Sequence, residues 1–324
     1  MHVLLVNNAP IPVYGYGGTE RVIWDLGRTL VQLGHRVSYL VPQGSHCEFG
    51  QVLLIRPDAP WDGQIPADVD IAHFQFHPRT GVERPHLMTE HGNARKLRPL
   101  PLNTVFLSRN HAARHGSTEF VYNGLDWDSY GPVDFDCPRP RHHFLGKAAW
   151  GVKNVRGAIR VARFAGVDLD VLGGTRISFR RGFRWTLSRS VHFHGMVGGA
   201  RKTLLLNMSR GLILPVRWHE PFGLAVIESL YFGCPVFSTP YGSLPELVPL
   251  HCGVLSAQAR VLAEAVRDNR FDPRACHAHV LEHFGARRMA RDYLRLYERV
   301  LAGESIHARH PVIQDPARAL PWMD

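Results

Sequence analysis

The residues best suited to chemistry lie in segment 218–235, WHEPFGLAVIESLYFGCP. Glu220 stands just before Pro221, a residue suited to the first turn of a helix, so the order predicts a helix opening at Pro221 with its free amides facing the preceding loop. That end attracts anions, and Gly223 has no side chain to keep a phosphate from the backbone. Glu228 follows Glu220 by eight residues, about 12 Å along a helix. Two carboxylates so spaced can hold different parts of one elongated ligand.

Other segments offer different chemistry. His279-Val-Leu-Glu282-His283 matches H-x-x-E-H, which on a helix puts two imidazoles on one face as zinc requires. Four D-x-D triplets, Asp68/Asp70, Asp126/Asp128, Asp134/Asp136 and Asp168/Asp170, have the spacing of divalent-cation ligands, although two lead into or enter strands and one lies in a linker. The loop Gly15-Tyr-Gly-Gly18 lacks the third glycine of G-x-G-x-x-G and is set off from its strand by Pro10 and Pro12, so a nicotinamide dinucleotide is a poor fit. The run 176–185, RISFRRGFRW, interleaves arginines with apolar and aromatic residues and suits an anionic lipid surface, nucleic acid or a helix with one buried face.

Positioning these groups is the task of alternating strands and helices. Residues 2–7 form a buried strand, followed by a helix from Thr19 to Leu33 that stops at Gly34. Apolar runs at 36–41, 52–55, 69–74, 103–107 and 119–122 make the first half strand-rich. Three prolines and a glycine in 131–141 mark a linker, with a domain boundary near 140. Beyond it the reading is strand 142–145, helix 153–165, strand 168–172, helix near 176–187, strand 190–194, helix 200–208, strand 211–214, helix 222–232, strand 235–238, then helices from 257 to 302. Such alternation implies parallel sheets covered on both faces, in two α/β domains sharing a cleft.

Composition narrows the class. The chain has 324 residues, enough for about two domains. Its five cysteines include no C-x-x-C pair, which argues against a disulfide framework or a zinc ribbon. No apolar stretch is long enough to span a bilayer and residues 1–8 are too short and polar for a signal peptide, so a cytoplasmic protein is expected. The net charge of +10 is uneven, with 12 Lys/Arg against 14 Asp/Glu in residues 1–140 and 26 against 14 in residues 141–324. The second half therefore attracts an anionic partner. Only four of the 38 basic residues are lysines.

Taken with Gly233-Cys-Pro-Val and Gly242-Ser-x-Pro-Glu246, the Glu220-Pro-Phe-Gly-Leu-x3-Glu228 segment resembles the E-x7-E signature of retaining, nucleotide-sugar-dependent glycosyltransferases of the GT-B fold, family 4-like, group 1. Similar resemblance attaches to Gly15-Tyr-Gly-Gly18-Thr-Glu-Arg, Asp70-Ile-Ala-His73, Thr89-Glu-His91-Gly92, Tyr122-Asn-Gly-Leu-Asp126 and Phe144-Leu-Gly-Lys147, and it covers roughly residues 1–302.

The resemblance implies two Rossmann-like domains with parallel sheets facing a central cleft. These would be an acceptor-side domain at 1–140, a nucleotide-sugar domain at 141–303, and a tail at 304–324 that packs back on the first domain or hangs loose. It also implies roles. Glu220 would bind hydroxyls of the donor sugar and Glu228 the ribose, while the amides of Phe222, Gly223 and Leu224 cradle the diphosphate. Lys147 and Lys153 would neutralise the leaving diphosphate, although the family usually has arginine first and a spacing of five where this chain has lysine and six. His91 would serve the donor sugar and acceptor, and Gly17 and Gly18 would reach the phosphates or acceptor on closure.

No metal or cofactor is expected, because amides and ammonium groups can stabilise the diphosphate. The reading is sugar transfer, with retention, from a UDP- or GDP-sugar to a hydroxyl of a small molecule, polysaccharide or lipid-linked saccharide. Peripheral contact with an anionic membrane is allowed and a nucleic-acid partner is not expected. The alternatives are a zinc hydrolase built on His279 and His283, or a catalytically silent protein that binds nucleotide sugars or nucleic acid.

Overall fold

The computed structural model describes residues 1–13, 17–78, 81–93, 97–178, 184–315 and 319–324, which fall into two compact units. The described residues of the first unit are 1–13, 17–78, 81–93, 97–127 and 284–315; those of the second are 128–178, 184–283 and 319–324.

In the first unit β1 (His2–Val6), β2 (Arg36–Val41), β3 (Gln51–Leu54), β4 (Ile71–Phe74), β5 (His86–Thr89) and β6 (Thr104–Val105) form one parallel sheet in the order β3-β2-β1-β4-β5-β6. Every residue of β1 is buried, the continuous apolar pattern of a parallel strand covered on both faces. Helix α1 (Gly18–Gln32) buries Val22, Ile23, Leu26 and Leu30 along one face. Its Gly27 lies so close to the Tyr39 hydroxyl that a Cβ would sit 2.0 Å from it. The short helix α2 (Arg109–Ala113) is capped by Ser108, whose hydroxyl accepts from the His111 amide. The strand expected at 119–122 is reduced to a single bridge between Phe106 and Phe120.

The second unit repeats the design. It contains β7 (Arg141–Leu145), α3 (Val155–Ala165), β8 (Leu169–Leu172), β9 (Ile177–Ser178), β10 (Arg184–Trp185), β11 (Val191–Phe193), α4 (Gly199–Asn207), β12 (Ser209–Leu214), α5 (Leu224–Tyr231), β13 (Val236–Ser238), α6 (Leu244–Leu247), β14 (Gly253–Leu255), α7 (Ala259–Asp268) and α8 (Pro273–His283). Six of these strands make a parallel sheet ordered β11-β8-β7-β12-β13-β14. Asn154 caps α3 from a left-handed conformation, its side chain accepting from the Gly157 amide at 3.1 Å.

The helix expected near 176–187 is instead an antiparallel pair, β9 against β10. The sequence carries the reason: Ile177 and Phe179, then Phe183 and Trp185, recur with period two around Arg181-Gly182. Residues 179–183 lie outside those described.

The last helix, α9 (Ala286–Leu301), returns to the first unit rather than closing the second. Its apolar face carries Tyr293 and Tyr297, whose hydroxyls meet Thr89 Oγ1 at 2.9 Å and His73 Nδ1 at 2.7 Å. The contact units thus divide after residues 127 and 283, not at 140 and 303, because 128–140 packs with the second sheet (Asp134 N donates to Asn207 Oδ1 at 2.9 Å) and α9 packs on α1. The tail divides as well: Leu100 N donates to Pro311 O within the first unit, whereas Met323 N donates to Ala257 O within the second. No helix among the described residues is long and apolar enough to cross a membrane.

Four buried histidines make the fold acid-sensitive. Burial pushes His73, His111 and His143 down to about 3 and His142 down to about 4, against an ordinary value of 6.5. Because the folded values are depressed, the unfolded chain takes up protons first. Stability is complete above about pH 6.5 and is lost as pH falls toward 4, by about 1 kcal/mol per histidine per pH unit. The melting temperature, followed by circular dichroism, is therefore expected to drop by more than about 10 °C between pH 7.5 and pH 5. A flat profile would show that these rings accept protons inside the native structure.

Candidate functional site

The site in the second unit is assembled around the turn that precedes α5. Glu220 forms a parallel bridge with Gly242, and the Ser243 amide donates to the Glu220 carbonyl at 2.9 Å. The Ser243 hydroxyl donates to the Phe222 carbonyl. A Cβ on Gly242, whose φ is +68°, would lie 2.2 Å from the Glu220 nitrogen, so only glycine permits this approach.

Contrary to the expectation from Pro221, the helix does not start there. Gly223 adopts a φ of +107° and serves as N-cap, and α5 begins at Leu224. Its left-handed backbone takes the chain out of the helical path, so Glu220 lies on the turn and the helical 12 Å separation from Glu228 does not apply. Gly223 and Leu224 present their amides at the open end of α5, and Phe222 is buried behind them.

Both glutamates are buried and each meets a lysine. Glu220 Oε2 accepts from Lys153 Nζ at 2.6 Å and from Trp218 Nε1 at 2.8 Å. Lys153 Nζ also lies 5.1 Å from the centroid of the Trp218 ring. Lys147 Nζ stands 5.1 Å from the Trp150 ring, and the two indoles meet edge to face at 6.5 Å, which brings both predicted lysines into one cluster. Glu228 Oε1 accepts from Lys202 Nζ at 2.6 Å and from the Tyr130 hydroxyl at 2.7 Å. The next residue, Ser229, donates to the Ala225 carbonyl at 2.7 Å and lies 2.8 Å from His143 Nε2, fixing this face of α5.

Sequence reasoning missed Lys202, Tyr130 and Trp218. Lys202 did leave a signal, being one of four lysines in a chain that otherwise uses arginine.

The other predicted residues belong to the first unit. His91 follows β5 at the carboxyl edge of the sheet, where ligands gather in parallel α/β folds. Its Nε2 lies 2.8 Å from Gln75 Oε1, and Gln75 Nε2 donates to the His73 carbonyl, so His91 carries its proton on Nε2. Burial pushes His91 down to about 4, which keeps it neutral near pH 7. Gly17 precedes α1, where a Cβ would lie 2.6 Å from Glu20 Oε2, and Gly18 opens that helix. Gly15 and Tyr16 lie outside the described residues.

Residues of the rival motifs find partners within the chain. His279 Nε2 meets the Leu247 carbonyl at 3.2 Å and His283 Nδ1 the His279 carbonyl at 2.9 Å, while Glu282 is largely exposed. Asp68 pairs with Arg36, Asp70 accepts from the His2 amide, Asp126 pairs with Arg28, Asp134 accepts from the Asp136 and Cys137 amides, and Asp170 meets His194. Among the described residues no three His, Cys, Asp or Glu side chains converge as metal ligands.

Residues 143–269, which contain both glutamates, Lys147, Lys153 and Lys202, match the family model described as glycosyl transferases group 1. D-rhamnosyltransferase WbpZ of Pseudomonas aeruginosa is 23% identical over 235 residues, 58% of this chain and 60% of that protein. Among solved structures, AviGT4, a glycosyltransferase involved in avilamycin A biosynthesis, superposes with a TM-score of 0.73 at 22% identity, covering 94% of this chain and 98% of that one. HepE of Anabaena, solved in complex with UDP and glucose, gives 0.64 at 13% identity over 91% and 99%. Residues 143–269 are thus similar to the group 1 glycosyl transferases, and the two six-stranded parallel sheets have the GT-B fold of the solved glycosyltransferase structures.

Proposed function

We propose that the chain transfers a sugar from a nucleoside-diphosphate sugar to an acceptor hydroxyl, with retention of anomeric configuration and without a metal. The observation that carries this reading is the pair of buried glutamates, each on a lysine at 2.6 Å, flanking a left-handed glycine at the open end of α5. The amides of Phe222, Gly223 and Leu224 cradle the diphosphate, aided by the partial positive charge of the helix end. Lys147 and Lys153 stabilise the charge that develops as the diphosphate departs. Glu220 binds hydroxyls of the donor sugar, and Lys202 and Tyr130 hold Glu228 for the ribose.

In this mechanism the acceptor hydroxyl attacks the face from which the diphosphate leaves. The ~5–5.5 Å carboxylate pair of retaining glycosidases is not invoked, since both glutamates are engaged as binding groups. His91, neutral and fixed by Gln75, attends the sugar and acceptor, as Gly17 and Gly18 attend the phosphates or acceptor. The UDP in the HepE complex supports a uridine donor, with a GDP-sugar as the second choice. For the acceptor, a small molecule, a polysaccharide or a lipid-linked saccharide at a cytoplasmic anionic membrane face all suit the basic second half.

Thermal-shift screening against UDP-, GDP-, ADP- and TDP-sugars, followed by transfer in EDTA with the product anomer read by NMR, tests this. One donor class is expected to raise the melting temperature by several degrees, since a ligand at 100 times its Kd adds about 2.7 kcal/mol. The absence of any shift, an inverted product, or loss of transfer in EDTA would each overturn the reading.

A further inference from the structure

A groove of about 930 Å³ lies beside α3 in the second unit, lined by Arg156, Arg160, Arg163, Arg217, Trp185 and Trp322 among others, and none of the proposed donor-binding residues contributes to it. Arg156, Arg160 and Arg163 fall one and two turns apart on a single face of α3, so their charges form a row about 10 Å long. Arg217 adds a fourth charge, its Nε donating to the Leu320 carbonyl at 3.1 Å. The lining holds one carboxylate, Asp324, and the chain itself seats that group on Arg160.

Indoles complete the walls. Trp185 is 58% exposed at the end of β10, and Leu187, two residues on, is 73% exposed. Trp322 is carried by the segment 319–324, which is held by the Leu320 amide on the Arg217 carbonyl at 2.9 Å and the Met323 amide on the Ala257 carbonyl at 2.9 Å. Trp322 Nε1 donates to Asp324 Oδ1 at 2.9 Å, orienting the acid that meets Arg160.

From the row of guanidinium groups and the two indoles that line the same groove we infer that it is a second binding site, for an oligosaccharide bearing carboxylate or phosphate groups. A concave shape favours a molecular ligand over a flat bilayer, which would need a protruding apolar surface. Successive arginines along one helix suit a ligand with several anions along its length, and the flat apolar faces of indoles suit the C–H faces of sugar rings. A carboxylate on the ligand replaces Asp324 on Arg160. The site goes beyond the proposed transfer reaction: it holds an acidic glycan on residues that take no part in the proposed donor binding.

Calorimetry on the full chain at low salt tests this with hexagalacturonate as the acidic probe, maltohexaose as its neutral counterpart and inorganic phosphate as the bare anion. The variants are Arg156→Gln with Arg163→Gln, which keep helix-compatible residues on an exposed face, and Trp185→Ala. Hexagalacturonate is expected to bind the wild type at least about tenfold more tightly than maltohexaose or phosphate, and about tenfold more tightly than it binds the double variant. Trp185→Ala is expected to weaken hexagalacturonate about fivefold while leaving phosphate unchanged. Equal affinity of wild type and double variant for the acidic hexamer overturns the site, as does binding of anionic vesicles or single-stranded oligonucleotides where the hexamer fails. The donor-induced thermal shift of the double variant, expected to match the wild type, separates failure here from failure of the transferase reading.

Discussion

Glu220→Ala is expected to lower transfer by on the order of a thousandfold or more while nucleotide affinity stays within about tenfold of wild type. In the proposed reaction the carboxylate binds the donor sugar, so its loss would remove an interaction that orients the reacting carbon, whereas Glu228 and the amides of residues 222–224 would still hold the nucleotide. The complication is Lys153, whose side chain is 12% exposed and whose ammonium meets Glu220 at 2.6 Å. Alanine leaves that ammonium without its carboxylate, which costs stability as well as activity. Glu220→Gln separates the effects, because an amide still accepts from Trp218 Nε1 and keeps the shape of the turn. Both variants are expected to lose transfer, with the glutamine form melting closer to wild type. Turnover at the wild-type rate in either one, measured with the donor that gives the largest thermal shift, would remove Glu220 from the reaction.

How far this site was legible in the sequence depends on how local each feature is. Strands such as β1 and the 211–214 part of β12 could be read from their apolar runs because parallel strands covered on both faces are mostly apolar. Helices α3 and α9 could be read from their periodicity, and the two glutamates from their spacing around a glycine. The start of α5 could not. Proline at 221 is compatible with a first helical turn, but the decision falls to Gly223, which can take either sign of φ and is held at a positive one where Gly242 and Ser243 pack against 220–222. That packing joins residues about 20 positions apart, beyond the reach of local rules. The β9–β10 pair failed differently. Its period-two pattern was present, but Arg176, Arg180 and Arg184, four residues apart, also fit one face of a helix. Tertiary pairing was least visible of all: Glu228 meets Lys202 across 26 residues and Tyr130 across 98, and nothing around Glu228 marks either partner.

Lys202→Met should therefore be among the most damaging single changes in the second unit. Lys202 and Glu228 are both more than nine-tenths buried, so removing the ammonium leaves a carboxylate in a low-dielectric setting without its counter-ion. Breaking a buried pair in this way costs about 3–5 kcal/mol, whereas replacing both members with apolar groups of similar size is often neutral. The double variant Lys202→Met with Glu228→Leu is accordingly expected to recover most of the stability lost by Lys202→Met alone, as read from urea unfolding. Nucleotide binding should behave in the opposite way. If Glu228 accepts from the ribose hydroxyls, the double variant binds UDP about 10- to 100-fold more weakly than wild type, the worth of hydrogen bonds to a charged group, despite its restored fold. Stability and binding then separate in one pair of proteins. A double variant as unstable as the single one would deny the ion pair its structural weight. A double variant that binds UDP as the wild type does would deny Glu228 its ribose, because a leucine in its place has no oxygen to offer.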